Sequence, residues 1–234
     1  MWNGKTVSVV LPAFNEEEGV KQAIESFYAT DVVDEIILVD NNSTDRTAEE
    51  AGSTAARVVQ EPTQGYGAAL TRGLHEATGE YVVMAEPDGT FHGSDLFKLL
   101  AYAHDFPLVL GTRTCRAMIE KGAKMGWLLQ FGNRLVAKLL QWLHGTCPLT
   151  DCGCTMRLIR RDALEQILPA LSVTQSHFLP EMVILARKNR VRMIEVPVNY
   201  HIRVGTSKIT GSLSGTFSTG WKMIRLIVGK RFRG

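Results

Sequence analysis

The chain has 234 residues, 45% hydrophobic and 21% charged, a globular balance with material for one large core or a core plus a small appendage. Its net charge of +2 conceals an asymmetry: seven of the 26 Lys and Arg and none of the 24 Asp and Glu follow residue 200, so residues 1–200 carry 19 bases against 24 acids and sum to −5. An acidic body with a basic tail and no nucleic-acid motif argues against a nucleic-acid-binding protein and for an anionic surface as partner.

In chain order, VSVVLPAF (7–14) is an apolar, β-branched run with Pro12 near its end, a buried strand. EEEGVKQAIESFYA (16–29) has helical spacing in Val20, Ile24 and Phe27, with acids where a helix N-terminus favours them. EIILVD (35–40) is a second strand, and Ser43 or Thr44 can cap the helix TDRTAEEAG. ARVVQ, a glycine-opened helix QGYGAALTRGLHEATG, and YVVMA follow. Strands alternating with helices predict an α/β fold, a doubly wound, mainly parallel sheet with helices on both faces.

In such sheets ligands sit beyond the carboxyl ends of the strands. Strand one delivers Pro12, Phe14, Asn15 and Glu16 there, strand two Asp40 and Asn41, and strand four Glu86 and Asp88. Pro-Asp-Gly in MAEPDGTF is ordinary turn chemistry by itself, but three strands converging on acids and amides make a site. Gly65 and Gly67 let the backbone approach a ligand or open the helix. They fail as a dinucleotide fingerprint, because the third glycine position holds Leu70 and the first strand does not precede them.

Farther on, PLVL leads to Gly111-Thr112-Arg113. The helix WLLQFGNRLVAKLLQWLHG (127–145) aligns Leu128, Phe131, Leu135, Leu139 and Trp142, a stripe that suits either core packing or a membrane interface. TDCGCTMRLIRRDAL follows, then HFLPEMVILARKNR with Glu181, then HIRVGTSK. After it Leu213, Phe217, Trp221, Ile224 and Val228 form an amphipathic stripe with Lys222, Arg225, Lys230, Arg231 and Arg233 around it. That predicts a helix lying on anionic lipid. No apolar run approaches the roughly 18 to 20 residues of a membrane span, and MWNGKTVSVVLPAF does not read as a secretory peptide. Cys115, Cys147, Cys152 and Cys154 lack zinc-site spacing and are expected to be reduced cytosolic thiols.

VVLPAFNEEEGV, ILVDNNSTDRTAE, QGYGAALTRGLHEATGEYVVMAEPDGTF and VPVNYHIRVGTSK, in that order, resemble the family 2 inverting glycosyltransferases of GT-A fold. The likeness is greatest to their polyprenyl-phosphate, dolichol-phosphate-mannose-synthase-like branch. The resemblance implies a GT-A domain over residues 1–210, with a nucleotide-sugar half to about 112 and an acceptor half from about 113, and a basic amphipathic tail over 211–234. It implies that Pro12, Phe14, Asn15, Glu16, Asp40, Asn41 and Gly65 line the nucleotide-sugar pocket. Glu86 and Asp88 would form the DxD-type element that holds Mg2+ or Mn2+ against the donor diphosphate, as hard cations bind carboxylates and phosphate oxygens.

Arg113, Arg203, Ser207 and Lys208 would then bind phosphates of donor or acceptor. Asp151 is the expected catalytic group facing the acceptor, Arg157 a phosphate ligand or structural partner, and Glu181 an acid near the acceptor. Glu86, Asn41 and Thr90 depart from the commoner Asp, Asp and Gln. The implied reaction moves a sugar from a nucleoside-diphosphate sugar to a polyprenyl phosphate at the cytoplasmic face of a membrane. Two alternatives stay open: a saccharide-hydroxyl acceptor with Asp151 as base, and an inactive sugar-nucleotide-binding module. A nucleotidyltransferase would carry a glycine- and arginine-rich loop where this chain has PAFNEEEG.

Overall fold

A computed structural model describes residues 1–123, 126–205 and 213–232. Seven strands form one sheet: β1 (Val7–Ala13), β2 (Glu35–Asp40), β3 (Arg57–Gln60), β4 (Tyr81–Met84), β5 (Leu108–Thr112), β6 (Arg157–Arg160) and β7 (Met193–Pro197). The order is β3-β2-β1-β4-β6-β5-β7. All neighbours are parallel except β6, which runs antiparallel to both β4 and β5. The sheet is doubly wound and mainly parallel, as expected.

β1 is buried along its whole length, as a central parallel strand must be. Pro12 lies inside it, a position where a missing N–H normally breaks a ladder. The register explains the tolerance. β4 pairs with β1 only as far as Val10 and Met84, and the Val10 carbonyl, facing β4, accepts from the Ala85 N–H. Pro12, two residues on, faces the same side beyond the last rung, so no ladder bond is lost.

Strand alternation divides the core. Val10, Ile37, Val39, Val82, Met84, Leu108 and Leu110 enter one cluster, against helices α3 (Tyr66–Glu76), α5 (Trp127–His144), α6 (Arg161–Ile167), α7 (Phe178–Lys188) and α8 (Leu213–Phe232). Val7, Val9, Leu11, Ile36, Leu38, Val83 and Val109 enter the other, with α1 (Val20–Tyr28), α2 (Thr47–Gly52) and α4 (Leu96–Leu100). α8 is seated on the body: Met223 and Ile227 are buried in the first cluster, and the Ile227 carbonyl meets His144 Nε2 at 2.9 Å.

Two helix starts differ from expectation. α1 begins at Val20, because Glu16–Gly19 form a turn in which Gly19 and Val20 N–H both donate to the Glu16 carbonyl. α2 begins at Thr47, and Asp45, rather than Ser43 or Thr44, accepts from the Thr47 N–H at 3.0 Å. Ser43 and Thr44 serve the site instead.

The stripe read on α5 is split, with Leu139 packed against the core and the other described members on the outer face. Phe131, Leu135 and Trp142 are exposed, while Val136, Ala137 and Leu140 are buried. On α8, Phe217, Trp221, Val228 and Phe232 are likewise exposed. Leu128, Leu213 and Arg233 lie outside the residues whose side chains are described.

Candidate active site

The carboxyl ends of β1, β2 and β4 meet at one edge. Asn15 takes a left-handed backbone conformation, φ 55°, which asparagine tolerates better than most residues. Its N–H donates to Ser43 Oγ and its Oδ1 accepts from the Thr44 N–H, locking the β1 and β2 loops together. Asp40 is buried and accepts from the Ser43 N–H at 3.2 Å. Asn41, also buried, donates Nδ2 to the Glu61 and Thr63 carbonyls and accepts the Gly65 N–H on Oδ1 at 2.7 Å. It therefore fixes the loop leading into α3, a structural use of the side chain standing where an acid was expected.

Glu86 leaves β4 and accepts Thr155 Oγ1 at 2.8 Å and Tyr66 Oη at 3.3 Å. Two residues on, Asp88 is buried, its Oδ1 committed to the Thr90 N–H and hydroxyl. Its Oδ2 meets Arg203 Nη1, while Arg203 Nη2 meets Glu16 Oε1. Arg203 thus clasps two carboxylates, and its Nε is buried with no partner among the described residues. The segment carrying it is strapped down by His201 N–H to the Thr90 carbonyl and Val204 N–H to the Asp88 carbonyl. That close approach requires Gly89, at φ 78°, whose missing Cβ would lie 3.1 Å from Val204 Cγ2.

Glu16 and Asp88 share the Arg203 guanidinium, and Glu86, also under the influence of Arg113, adds a third negative charge nearby. Burial, against the opposing charge of Arg203, pushes Glu16 up to about 7, with the Asp88 and Glu86 charges adding to the rise. Burial and the Asp88 charge push Glu86 up to about 7 as well. Among the described residues no three His, Cys, Asp or Glu side chains converge as a metal cage. Such a set fits a hard divalent cation held by one or two carboxylates and completed by phosphate oxygens.

Arg113 follows the end of β5. Its Nε and Nη2 donate to the two oxygens of Asp151, at 2.8 and 3.0 Å, and its guanidinium stacks 5.4 Å from the Tyr200 ring centroid. Asp151 is 2% exposed and also accepts the Arg113 and Gly153 N–H groups. Burial alone would raise its carboxyl. The Arg113 charge and these hydrogen bonds outweigh burial and hold it below the ordinary carboxylate range.

In this arrangement Asp151 is a clamped, buried, weakly basic carboxylate, which weighs against the alternative in which it acts as a base. Glu195, which the sequence did not single out, accepts the Thr150 N–H and hydroxyl and the Asp151 N–H, each between 2.6 and 2.9 Å. It holds the loop that presents Asp151, and a lone Glu in a β-strand gives no signal of that.

Two more expectations are corrected by burial. Arg157 is 1% exposed and donates to the carbonyls of Cys154, Leu179 and Cys152 at 2.8 Å each, so the structural role holds and the phosphate role does not. Glu181 is fully buried and caps the Ser172–Val173 backbone. Burial pushes the Cys152 and Cys154 thiols up to about 12, so they are inert. Ser207 and Lys208 lie outside the described residues.

The glycosyl transferase family 2 profile matches residues 8–168, and the chain belongs to that family. It is a glycosyltransferase. It is 35% identical over 229 residues to the uncharacterized glycosyltransferase Rv0539 of Mycobacterium tuberculosis, covering 94% of this chain and 99% of that one. It is 31% identical over 229 residues to the low-salt glycan biosynthesis hexosyltransferase Agl6 of Haloferax volcanii, covering 95% of this chain and 53% of that one; this chain spans about half the length of that relative. A dolichyl-phosphate hexose transferase of the same archaeon is 30% identical over 231 residues, with 97% and 96% covered. Among solved structures, glucosyl-3-phosphoglycerate synthase of M. tuberculosis with Mn2+, UDP and phosphoglyceric acid superposes with a TM-score of 0.77 at 24% identity, covering 98% and 79% of the two chains. The fold is GT-A.

Proposed function

We propose that this glycosyltransferase moves a hexose from a nucleoside-diphosphate sugar to a polyprenyl phosphate, with inversion, at an anionic membrane surface. One observation carries the choice of acceptor. Phe131, Leu135 and Trp142 on α5, and Phe217, Trp221, Val228 and Phe232 on α8, are exposed at i, i+4 and i+11 spacing, so each set forms one stripe. Neither helix carries an acid, and Arg134, Lys138, Lys222, Arg225 and Arg231 are exposed on them. Apolar stripes flanked only by bases suit an anionic lipid surface. α5 also reaches the site, since Arg134 Nη2 donates to the carbonyl of Thr114, next to Arg113. The name of the Haloferax dolichyl-phosphate hexose transferase supports the same acceptor class.

In this reading Asp40 and the Asn15–Ser43 loop receive the nucleoside, and Glu16, Glu86 and Asp88 face the diphosphate. Asp88 with Glu86 would hold Mg2+ or Mn2+, which when bound neutralises charge on the leaving diphosphate. Arg203, with one donor lacking a partner among the described residues, and Arg113 bind and orient phosphates. A phosphate monoester is already anionic near neutral pH, so its oxygen forms the new bond to the anomeric carbon without a base. The bond from that carbon to the diphosphate breaks, and the nucleoside diphosphate leaves with the electron pair. The clamped state of Asp151 agrees with a reaction that needs no proton abstraction. No helix among the described residues is long and apolar enough to cross a membrane, and attachment through α5 and α8 is the proposed alternative, on the cytoplasmic face.

The test is nucleotide release by purified protein across UDP-, GDP- and CDP-sugars, with Mn2+ or Mg2+, with and without a short polyprenyl phosphate. Release that requires both metal and lipid supports the proposal. Release only with saccharide acceptors refutes the lipid acceptor, and nucleotide binding without release in any mixture refutes transferase activity.

A further inference from the structure

Between α8 and the donor pocket runs one continuous set of polar contacts. Lys230 Nζ on α8 pairs with Glu181 Oε1 at 2.9 Å; Glu181 is fully buried and Lys230 30% exposed. The same carboxylate accepts the Ser172 hydroxyl at 2.7 Å and the Ser172 and Val173 N–H groups at 3.0 and 2.8 Å. The next residue, Thr174, accepts the Ala68 N–H of α3 on its carbonyl at 3.1 Å. Here segment and helix touch backbone to backbone. A Cβ on Gly65 would lie 2.2 Å from the Thr174 carbonyl oxygen, and one on Gly67 2.2 Å from that of Val173.

The start of α3 then touches both sides of the site, through the Gly65 N–H on Asn41 next to Asp40 and through Tyr66 Oη on Glu86. Every polar atom of Glu181 is used. Lys230 is the cation paired with this buried charge among the described residues.

We infer that Lys230 is a positioning residue, and that the Lys230–Glu181 pair makes the α3 end of the donor pocket depend on how α8 is seated. The nucleotide part of this inference rests on the proposed function above. Without Lys230 the carboxylate keeps its backbone bonds but is buried without its counter-charge, a costly state. The Ser172–Gln175 segment loosens, and with it the support under Gly65 and Ala68. Because the outer face of α8 is the proposed lipid face, docking at a surface and grip on the donor become coupled.

The experiment compares wild type, Lys230→Met and Lys230→Arg as full chains, by residue-resolved amide hydrogen exchange and by titration with UDP and GDP in Mn2+. Lys230→Met is expected to raise exchange at Ser172 and Val173 and also at Gly65 and Ala68. Couplings of this kind change affinity by about 3- to 30-fold, so nucleotide binding should weaken within that range, and Lys230→Arg should restore both. Faster exchange confined to Ser172 and Val173, or none, overturns the inference, as does unchanged nucleotide affinity in Lys230→Met. Should wild type bind neither nucleotide, the donor-pocket reading falls, and the exchange pattern still decides whether the joint exists.

Discussion

Glu16→Gln tests whether the carboxylate cluster is held at an energetic cost. The folded carboxyl of Glu16 titrates at about 7 against an ordinary 4.5. An acid raised in the fold is easier to ionise in the unfolded chain, so stability falls as pH climbs from 4.5 to 7 and stays low above. Some 2.5 pH units correspond to about 3 kcal/mol. Solvent at the mouth of the site reduces this to about 1–2 kcal/mol. Gln mimics the protonated acid, so the variant should match wild type at pH 4 and exceed it at pH 8. For a domain of this size the gain is about 3 to 6 °C in Tm.

The assay is thermal unfolding from pH 4 to 9 in a chelator, repeated with Mn2+. With Mn2+ the wild type should recover more than the variant, because ligand binding to the native state adds stability. A variant less stable than wild type by the same amount at every pH would refute the reasoning. It would mean that the bond to Arg203 outweighs the desolvation of Glu16.

Asp151→Asn should lower stability by about 3–5 kcal/mol, since it leaves Arg113 buried without its partner. Turnover should fall while the shape of the pH–rate profile stays the same; loss of the acidic limb, where a base becomes protonated, would restore Asp151 as a base. Gly67→Ala places a Cβ 2.2 Å from the Val173 carbonyl and should cost about 1–3 kcal/mol as overpacking, read by denaturant unfolding. Trp221→Ser, at a side chain 62% exposed, should leave Tm unchanged. It should weaken sedimentation with phosphatidylserine vesicles about tenfold, the scale of burying one large apolar side chain; undiminished binding would remove α8 from the membrane face.

Much of this was legible because strands announce their ends. The apolar runs before Asn15, Asp40 and Glu86 are long enough to be buried, and a buried parallel strand must release its polar residues at one edge. The use of Arg157 was legible only as one of two alternatives, and that of Glu181 was not legible. Each stands in a segment with motif-like residues around it, and only the packing of α7, α8 and β6 reveals that carbonyls take up Arg157 while backbone N–H groups and Lys230 take up Glu181. The outer faces of α5 and α8 were half legible. The stripes were visible, but both helices are apolar on two sides: Val136, Leu140, Met223 and Ile227 turn inward with Leu139 and Ile224 of the stripes packed beside them, while the other described stripe residues stay exposed.

The placement of β6 has a consequence for how the protein is made. β4 and β5 follow one another in sequence, yet they never pair; residues 157–160 must arrive and slot between them. Until then β4 presents an open edge in the middle of the future sheet, the kind of edge that recruits other chains. Residues 1–112, though they hold most of the proposed donor pocket, are therefore not a unit that can be expected to fold alone. A nascent chain stalled before residue 160 would be exposed to aggregation or dependent on a chaperone.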